Sequence, residues 1–210
     1  MIKTNAKTYR KRLKKYSKRA FKRVSRFPNS SGVTLRAEMD DYIQWPAGSA
    51  VCQFALATYV KFASILGNSA SFVNQAANFY KYKITGLGVN AYYATTSVSG
   101  SFGQNGTPSA CINPYPTITA LGVGQVPCFV DTNLHIKPLQ REYNKYWSVS
   151  TYFQGTGDGM GTWNQVNDYN NQQGQFSVAT PQTVTNSSGS ATVVYRVRLI
   201  LYVTFDGKTI

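Results

Sequence analysis

From residue 33 onward, apolar residues recur in short runs at two-residue spacing, divided by Gly, Asn, Ser and Pro. That period belongs to strands with one buried face, so the segment reads as all-β. Residues 191–208 give the cleanest case: Tyr195, Val197, Leu199, Leu201, Val203 and Phe205 share one face, and Arg196, Arg198, Ile200 and Tyr202 share the other. One side should meet a core and the other solvent or a ligand. Residues 33–45, 52–62 and 142–153 read as further strands, the second with helical character as well. In residues 79–94 the phase changes: Tyr82 and Ile84 point one way, whereas Leu87, Val89, Ala91 and Tyr93 keep the period one step later. The step at Thr85 and Gly86 predicts a β-bulge. One helix is expected within residues 69–80, with Phe72, Ala76, Phe79 and Tyr80 on one face and Ser71 as its N-cap.

The opening of the chain follows another rule. Tyr9, Leu13, Tyr16, Ala20, Val24 and Phe27 are spaced 4, 3, 4, 4 and 3 apart, which would line one face of a helix. The remaining faces are cationic: Lys3, Lys7, Arg10, Lys11, Arg12, Lys14, Lys15, Lys18, Arg19, Lys22, Arg23 and Arg26. With Arg36 they put 13 basic residues and no acid in positions 1–37, while positions 38–210 hold 9 basic residues and all 8 acids. An arm of +13 therefore precedes a body of +1. Self-repulsion opposes folding of such an arm alone, so ordering is expected only against nucleic acid or a protein surface. A polyanion is its natural partner, because each Lys or Arg on a phosphate releases condensed counterions without reading sequence. Tyr9 and Tyr16 could add stacking on unpaired bases. A solvated tail, a nuclear import signal and a helix lying on an anionic membrane are the competing readings. Pro28 and the cluster Asn29 to Gly32 end the pattern, which divides the chain into an arm with hinge, 1–32, and a domain, 33–210.

Composition narrows the chemistry. An apolar share of 42% with 14% aromatics supplies a core, and no apolar run is long enough for a membrane span or a secretory signal, so a soluble chain is expected. Cys52, Cys111 and Cys128 are odd in number and read as buried small apolar residues. A single histidine, His135, excludes paired-His zinc sites, and no cofactor or metal is implied. Glu38, Asp40 and Asp41 form one acidic group and Asp158 and Asp168 another, but nothing in their spacing favours catalysis over solvation. The glycine-rich GTGDGMG at 155–161 lacks the Lys and Ser or Thr of a phosphate loop. Asn29, Asn105 and Asn186 begin formal glycosylation matches that read as chance. Between Ile84 and Val130 no residue is charged, which suits loops packed against neighbouring copies and also a long polar loop.

The basic arm, the mid-chain strand FYKYKITGLGVNAYY and the closing strand VVYRVRLILYVTFDGK, taken in that order, resemble the capsid protein of small circular single-stranded DNA viruses, the circovirus-like group. That family's mid-chain pattern falls on Tyr82, Lys83, Ile84, Leu87 and Val89, and its closing pattern on Arg198, Leu199, Leu201, Tyr202, Val203 and Phe205. Two departures stand out: the arm here is rich in Lys, and positions often basic after Ile84 are Thr85, Gly86 and Gly88. The resemblance implies an eight-stranded viral jelly roll of two facing antiparallel sheets, sixty copies of which enclose single-stranded nucleic acid, DNA rather than RNA. It places the protein in the virion and, during assembly, the host nucleus. Arg36, Arg196 and Arg198 would join the arm in binding nucleic acid; no membrane partner is implied. Other classes remain: a monomeric nucleic-acid-binding protein of movement or ribonucleoprotein type, the coat of a satellite RNA virus, or a carbohydrate-active jelly roll using Glu142, Asp158 and Asp168.

Overall fold

The strand with the cleanest alternation takes the centre of the larger sheet. In the computed structural model, which describes residues 32–55, 57, 59–94, 109–115, 134–136, 142–149, 161–180, 185–187 and 189–208, β10 (Thr192–Lys208) pairs antiparallel with β1 (Thr34–Trp45) on one side and β4 (Phe79–Tyr93) on the other. Beyond them lie β2 (Gln53–Phe54) next to β1, and β7 (Glu142–Ser148) next to β4. The sheet order is β2-β1-β10-β4-β7, with the two-residue β8 (Asn164–Gln165) also on β4. A second sheet has the order β3-β9-β5-β6, from β3 (Tyr59–Lys61), β9 (Gln175–Ala179), β5 (Ala110–Tyr115) and β6 (Leu134–Ile136). Leaving aside the two-residue β2 and β8, four strands stand in each sheet. The chain switches sheets from β1 to β3, β3 to β4, β4 to β5, β6 to β7, β7 to β9 and β9 to β10. This is the expected jelly roll.

The core lies between the sheets. Leu199, Leu201, Val203 and Phe205 of β10 are fully buried, as are Tyr82, Ile84, Leu87, Val89 and Ala91 of β4, and Phe176 and Ile112 answer them from the second sheet. The predicted bulge is what lets both halves of β4 point inward. The ladder slips between Tyr202 and Val203, opposite Gly86 and Ile84, so that Thr85 is the extra residue. Without that slip Leu87, Val89 and Ala91 would face outward. The Thr85 hydroxyl donates to the Tyr202 carbonyl at 3.2 Å, satisfying a group at the disturbed point. Two buried phenols tie together distant parts of the chain. Tyr82 donates to Gln172 Oε1 at 3.0 Å, and Tyr195 donates to the Ile136 carbonyl at 3.4 Å, from the first sheet to the second. Burial raises the pKa of both.

Several expectations are corrected. Among the described residues of the segment 52–62, 53–54 and 59–61 are strand; the chain then turns into α1 (Phe62–Asn68), which buries Phe62, Ile65 and Leu66 at helical spacing. The expected helix is α2 (Ala70–Ala76), with Ser69 at the N-cap position. Ser71 lies inside it, donating to the Arg36 carbonyl of β1 at 3.1 Å. Past the glycine-rich 155–161 the chain forms β8 and a 3-10 helix, Val166–Asn171, in which Asp168 lies in the first turn. Cys52 and Cys111 are buried and unbridged, as expected. Asn186 is fully buried, its amide donating to the carbonyls of Trp45 at 2.8 Å and Ser190 at 3.1 Å, which leaves no room for a glycan. The arm, Cys128, Asp158, residues 150–153 and most of the uncharged stretch lie outside the described residues.

Phe72 joins four elements: its ring centroid lies 5.3 Å from that of Tyr82, 5.6 Å from Tyr169 and 5.4 Å from Phe205. Phe72→Ala should destabilise the domain by about 3–5 kcal/mol. The exposed neighbour change Val73→Ala should stay within about 0.5 kcal/mol. Equilibrium denaturation checks both, and equal losses would contradict the packing described.

Candidate nucleic-acid interface

Because β10 sends its odd positions from Tyr195 to Phe205 into the core, the even positions between them stand on the open face of the first sheet, and register carries their neighbours into rows. Tyr42, Arg196, Tyr92 and Glu142 form one row; Asp40, Arg198, Asn90 and Asn144 the next. Glu38, Ile200, Gly88 and Tyr146 follow, then Arg36, Tyr202 and Gly86. Arg36, Arg196 and Arg198 thus share one face. The structure describes none of the twelve arm residues from Lys3 to Arg26, so their place relative to this face lies outside the described residues.

The three arginines differ in what already holds them. Arg198 grips Asp40 with two hydrogen bonds, Nε to Oδ1 at 2.7 Å and Nη2 to Oδ2 at 3.0 Å, and its Nη1 lies 3.5 Å from Glu38. That pairing lowers the Asp40 pKa and raises that of Arg198. Arg36 lies 2.9 Å from the other Glu38 oxygen. Two cations and two carboxylates therefore neutralise each other in the middle of the face. Arg196 has no carboxylate within ion-pair distance among the described residues. Its guanidinium lies 5.9 Å from the ring centroid of Tyr42.

An aromatic layer accompanies the charges, and glycine makes room for it. A side chain at Gly86 would collide with the ring of Tyr146, and one at Gly88 would crowd Tyr202. Tyr146 and Tyr202 thereby lie over the sheet, edge to face with centroids 5.3 Å apart, and Arg36 lies 5.9 Å from the Tyr202 centroid. Gly86 and Gly88 thus leave room for tyrosine rings reaching across from the adjoining strands. A cavity of about 590 Å³ opens beside Arg196, lined by Asp40, Asp41, Tyr42, Tyr92, Tyr93 and Arg198 among others. Its volume falls in the range of small-ligand clefts. Base-stacking rings beside cations are the combination that single strands use.

Sequence reading placed Arg196, Arg198 and Tyr202 on one face of β10 and did not foresee the other rings beside them. Tyr42, Tyr92 and Tyr146 come from three strands, and only pairing register brings them beside β10. Of the carboxylates weighed for catalysis, Glu38 and Asp40 are engaged with arginine, while Glu142 accepts from Asn144 at 3.0 Å. Among the described residues no three His, Cys, Asp or Glu side chains are grouped to hold a metal.

No protein-family model and no curated protein sequence matches this chain. Solved structures do. One is the semi-empty virus-like particle of the nodavirus of the giant freshwater prawn Macrobrachium rosenbergii, 12% identical at a TM-score of 0.54, with 89% of this chain and 88% of that one covered. The fold is the viral jelly roll. A Penaeus vannamei nodavirus capsid protein lacking residues 1-37 and 251-368, solved as a T=1 subviral particle, is 8% identical at 0.54, covering 84% of this chain and 98% of its own. Cocksfoot mottle virus is 7% identical at 0.50, covering 86% and 97%. These neighbours are viral capsids in general and do not single out the circovirus-like group.

Asp41 points the opposite way from Asp40 and is buried. Its Oδ1 accepts the Tyr42 N–H at 2.6 Å, and its Oδ2 has no partner among the described residues. Burial raises its pKa above the ordinary 3.8, against the pull of the Tyr42 and Ala55 N–H groups. A raised folded-state pKa means the native protein holds the proton longer than the unfolded chain, so Asp41 costs stability as pH rises above about 4. Asp41→Asn should therefore be more stable than wild type at pH 7, with the advantage shrinking towards pH 4. Denaturation midpoints at the two pH values test this; an advantage independent of pH would contradict it.

Proposed function

We propose that this chain is a viral coat protein: the jelly roll tiles with copies of itself into a small icosahedral shell, and the arm condenses the packaged single-stranded genome. The observation that carries the reading is the union of thirteen basic residues and no acid in positions 1–37, a net charge of +1 over positions 38–210, and a fold that matches capsid structures over 84–89% of the chain. One of those matches forms a T=1 particle. A shell of that kind would hold sixty copies, and sixty arms with twelve basic residues each would bring about 720 positive charges to a genome with one negative charge per nucleotide. Neutralisation of a genome of a couple of thousand nucleotides would be partial. DNA rather than RNA, and the circovirus-like group, rest on the two strand motifs, 79–94 and 191–208. The basic run also fits an import signal, which would bring the protein to the host nucleus for assembly.

Electron microscopy and sedimentation of the purified full chain test the reading. Sixty copies of 23.2 kDa predict a protein shell of about 1.4 MDa, with nucleic acid inside. A stable monomer at every salt and concentration that still binds nucleic acid would overturn it in favour of a monomeric nucleic-acid-binding protein.

A further inference from the structure

At the end of the open face remote from Arg196, Lys81 and Lys83 of the mid-chain strand stand beside a ring that neither the strand motifs nor the arm supplies. Trp163 is 43% exposed, whereas Trp45 and Trp147 are buried in the core. Its place is set by β8: Gln165 pairs with Lys81 and Asn164 with Tyr82, so the next position along the antiparallel ladder brings Trp163 beside Lys83. The Nζ atoms of Lys81 and Lys83 lie 5.3 and 5.2 Å from the Trp163 ring centroid. Asp206 holds Lys81 at 3.3 Å, and among the described residues Lys83 has no carboxylate within ion-pair distance.

We infer that Trp163, Lys81 and Lys83 form a nucleotide site for single-stranded nucleic acid, in which an unpaired base stacks on the indole and the adjoining phosphate meets Lys83. The inference rests on the packaging reading and extends it to a defined place. A solvent-exposed indole beside cations offers both things a nucleotide needs, a π surface and a counter-charge. Bases in a duplex are already stacked on one another, so the site selects unpaired ones. A second copy of this chain is the poorer occupant. On this face the described carboxylates that it could offer are already engaged, Glu38, Asp40 and Asp206 with Arg36, Arg198 and Lys81, and Glu142 with the Asn144 amide. Along β10, Arg196 and Asp206 are ten residues apart, about 33 Å of strand, with Tyr202 between them. Lys83 and Arg196, open-face cations with no carboxylate in ion-pair distance among the described residues, thus mark two ends of a track that passes the Tyr146 and Tyr202 rings.

Trp163 is its own reporter, because the other two tryptophans are enclosed. Unassembled full-length protein is titrated with oligothymidylate of about 20 nucleotides. Anisotropy of a dye-labelled copy measures binding, while tryptophan emission is read in parallel. The expected result is quenching by up to about a third, absent with the same sequence as a duplex, and lost in Trp163→Ala, which should bind about tenfold more weakly. Lys83→Gln should reduce the salt slope of binding by about one. Both positions face solvent, so these variants should fold. Binding with unchanged emission, or Trp163→Ala binding with wild-type affinity, would overturn the site and leave the packaging reading standing. An emission change that follows protein concentration without oligonucleotide would assign the patch to self-contact and also overturn it. Failure of the full chain to bind at any salt would overturn the site and the packaging reading together.

Discussion

The molecule depends on β10 having two faces and being allowed only one core. Flanked on both edges by β1 and β4, this strand cannot slip without carrying its apolar set outward, so the burial of Leu199, Leu201, Val203 and Phe205 fixes where Arg196, Arg198 and Tyr202 must stand. The bulge at Thr85 extends the same constraint across β4 by bringing Leu87, Val89 and Ala91 back into phase. Core packing and the composition of the open face are thus two consequences of one register.

On that open face the charges are graded. The central pair Arg198 and Asp40, with Arg36 and Glu38 beside it, is internally neutral and ties β1 to β10. Exposed pairs of this kind are screened by water and add little to stability. What they change is availability, because a phosphate reaching Arg198 must compete with a carboxylate already bound through two hydrogen bonds. Arg196 and Lys83 face no such competitor among the described residues, and each stands over an exposed ring, Tyr42 or Trp163. A strand of nucleic acid would find its electrostatic anchors at the ends of the sheet and its aromatic surface between them.

Much of this was legible in the sequence, for identifiable reasons. β10 and β4 could be read because long strands with one wet face write their period plainly, and the phase change at Thr85 was visible as the bulge it proved to be. β5, ACINPY, has buried residues on both faces and a proline inside it, so it carries no alternation to read. α1 was masked by the β-rich run before it, and its Phe62, Ile65 and Leu66 spacing emerges only once β3 is seen to stop at Lys61. That Arg196 and Arg198 stand opposite the core was legible from the alternation along β10. Their aromatic partners were not, since Tyr42, Tyr146 and Trp163 arrive from segments up to 121 residues apart in the chain and meet only through pairing register.

The central claim is that the open face of the β10 sheet is the side turned towards nucleic acid. A cryo-electron microscopy reconstruction of particles assembled with their cargo tests it most directly. The account predicts that Arg196, Tyr202 and Trp163 line the lumen with nucleic-acid density against them; finding that face on the particle exterior, or on the lumen with no density beside it, would contradict the account.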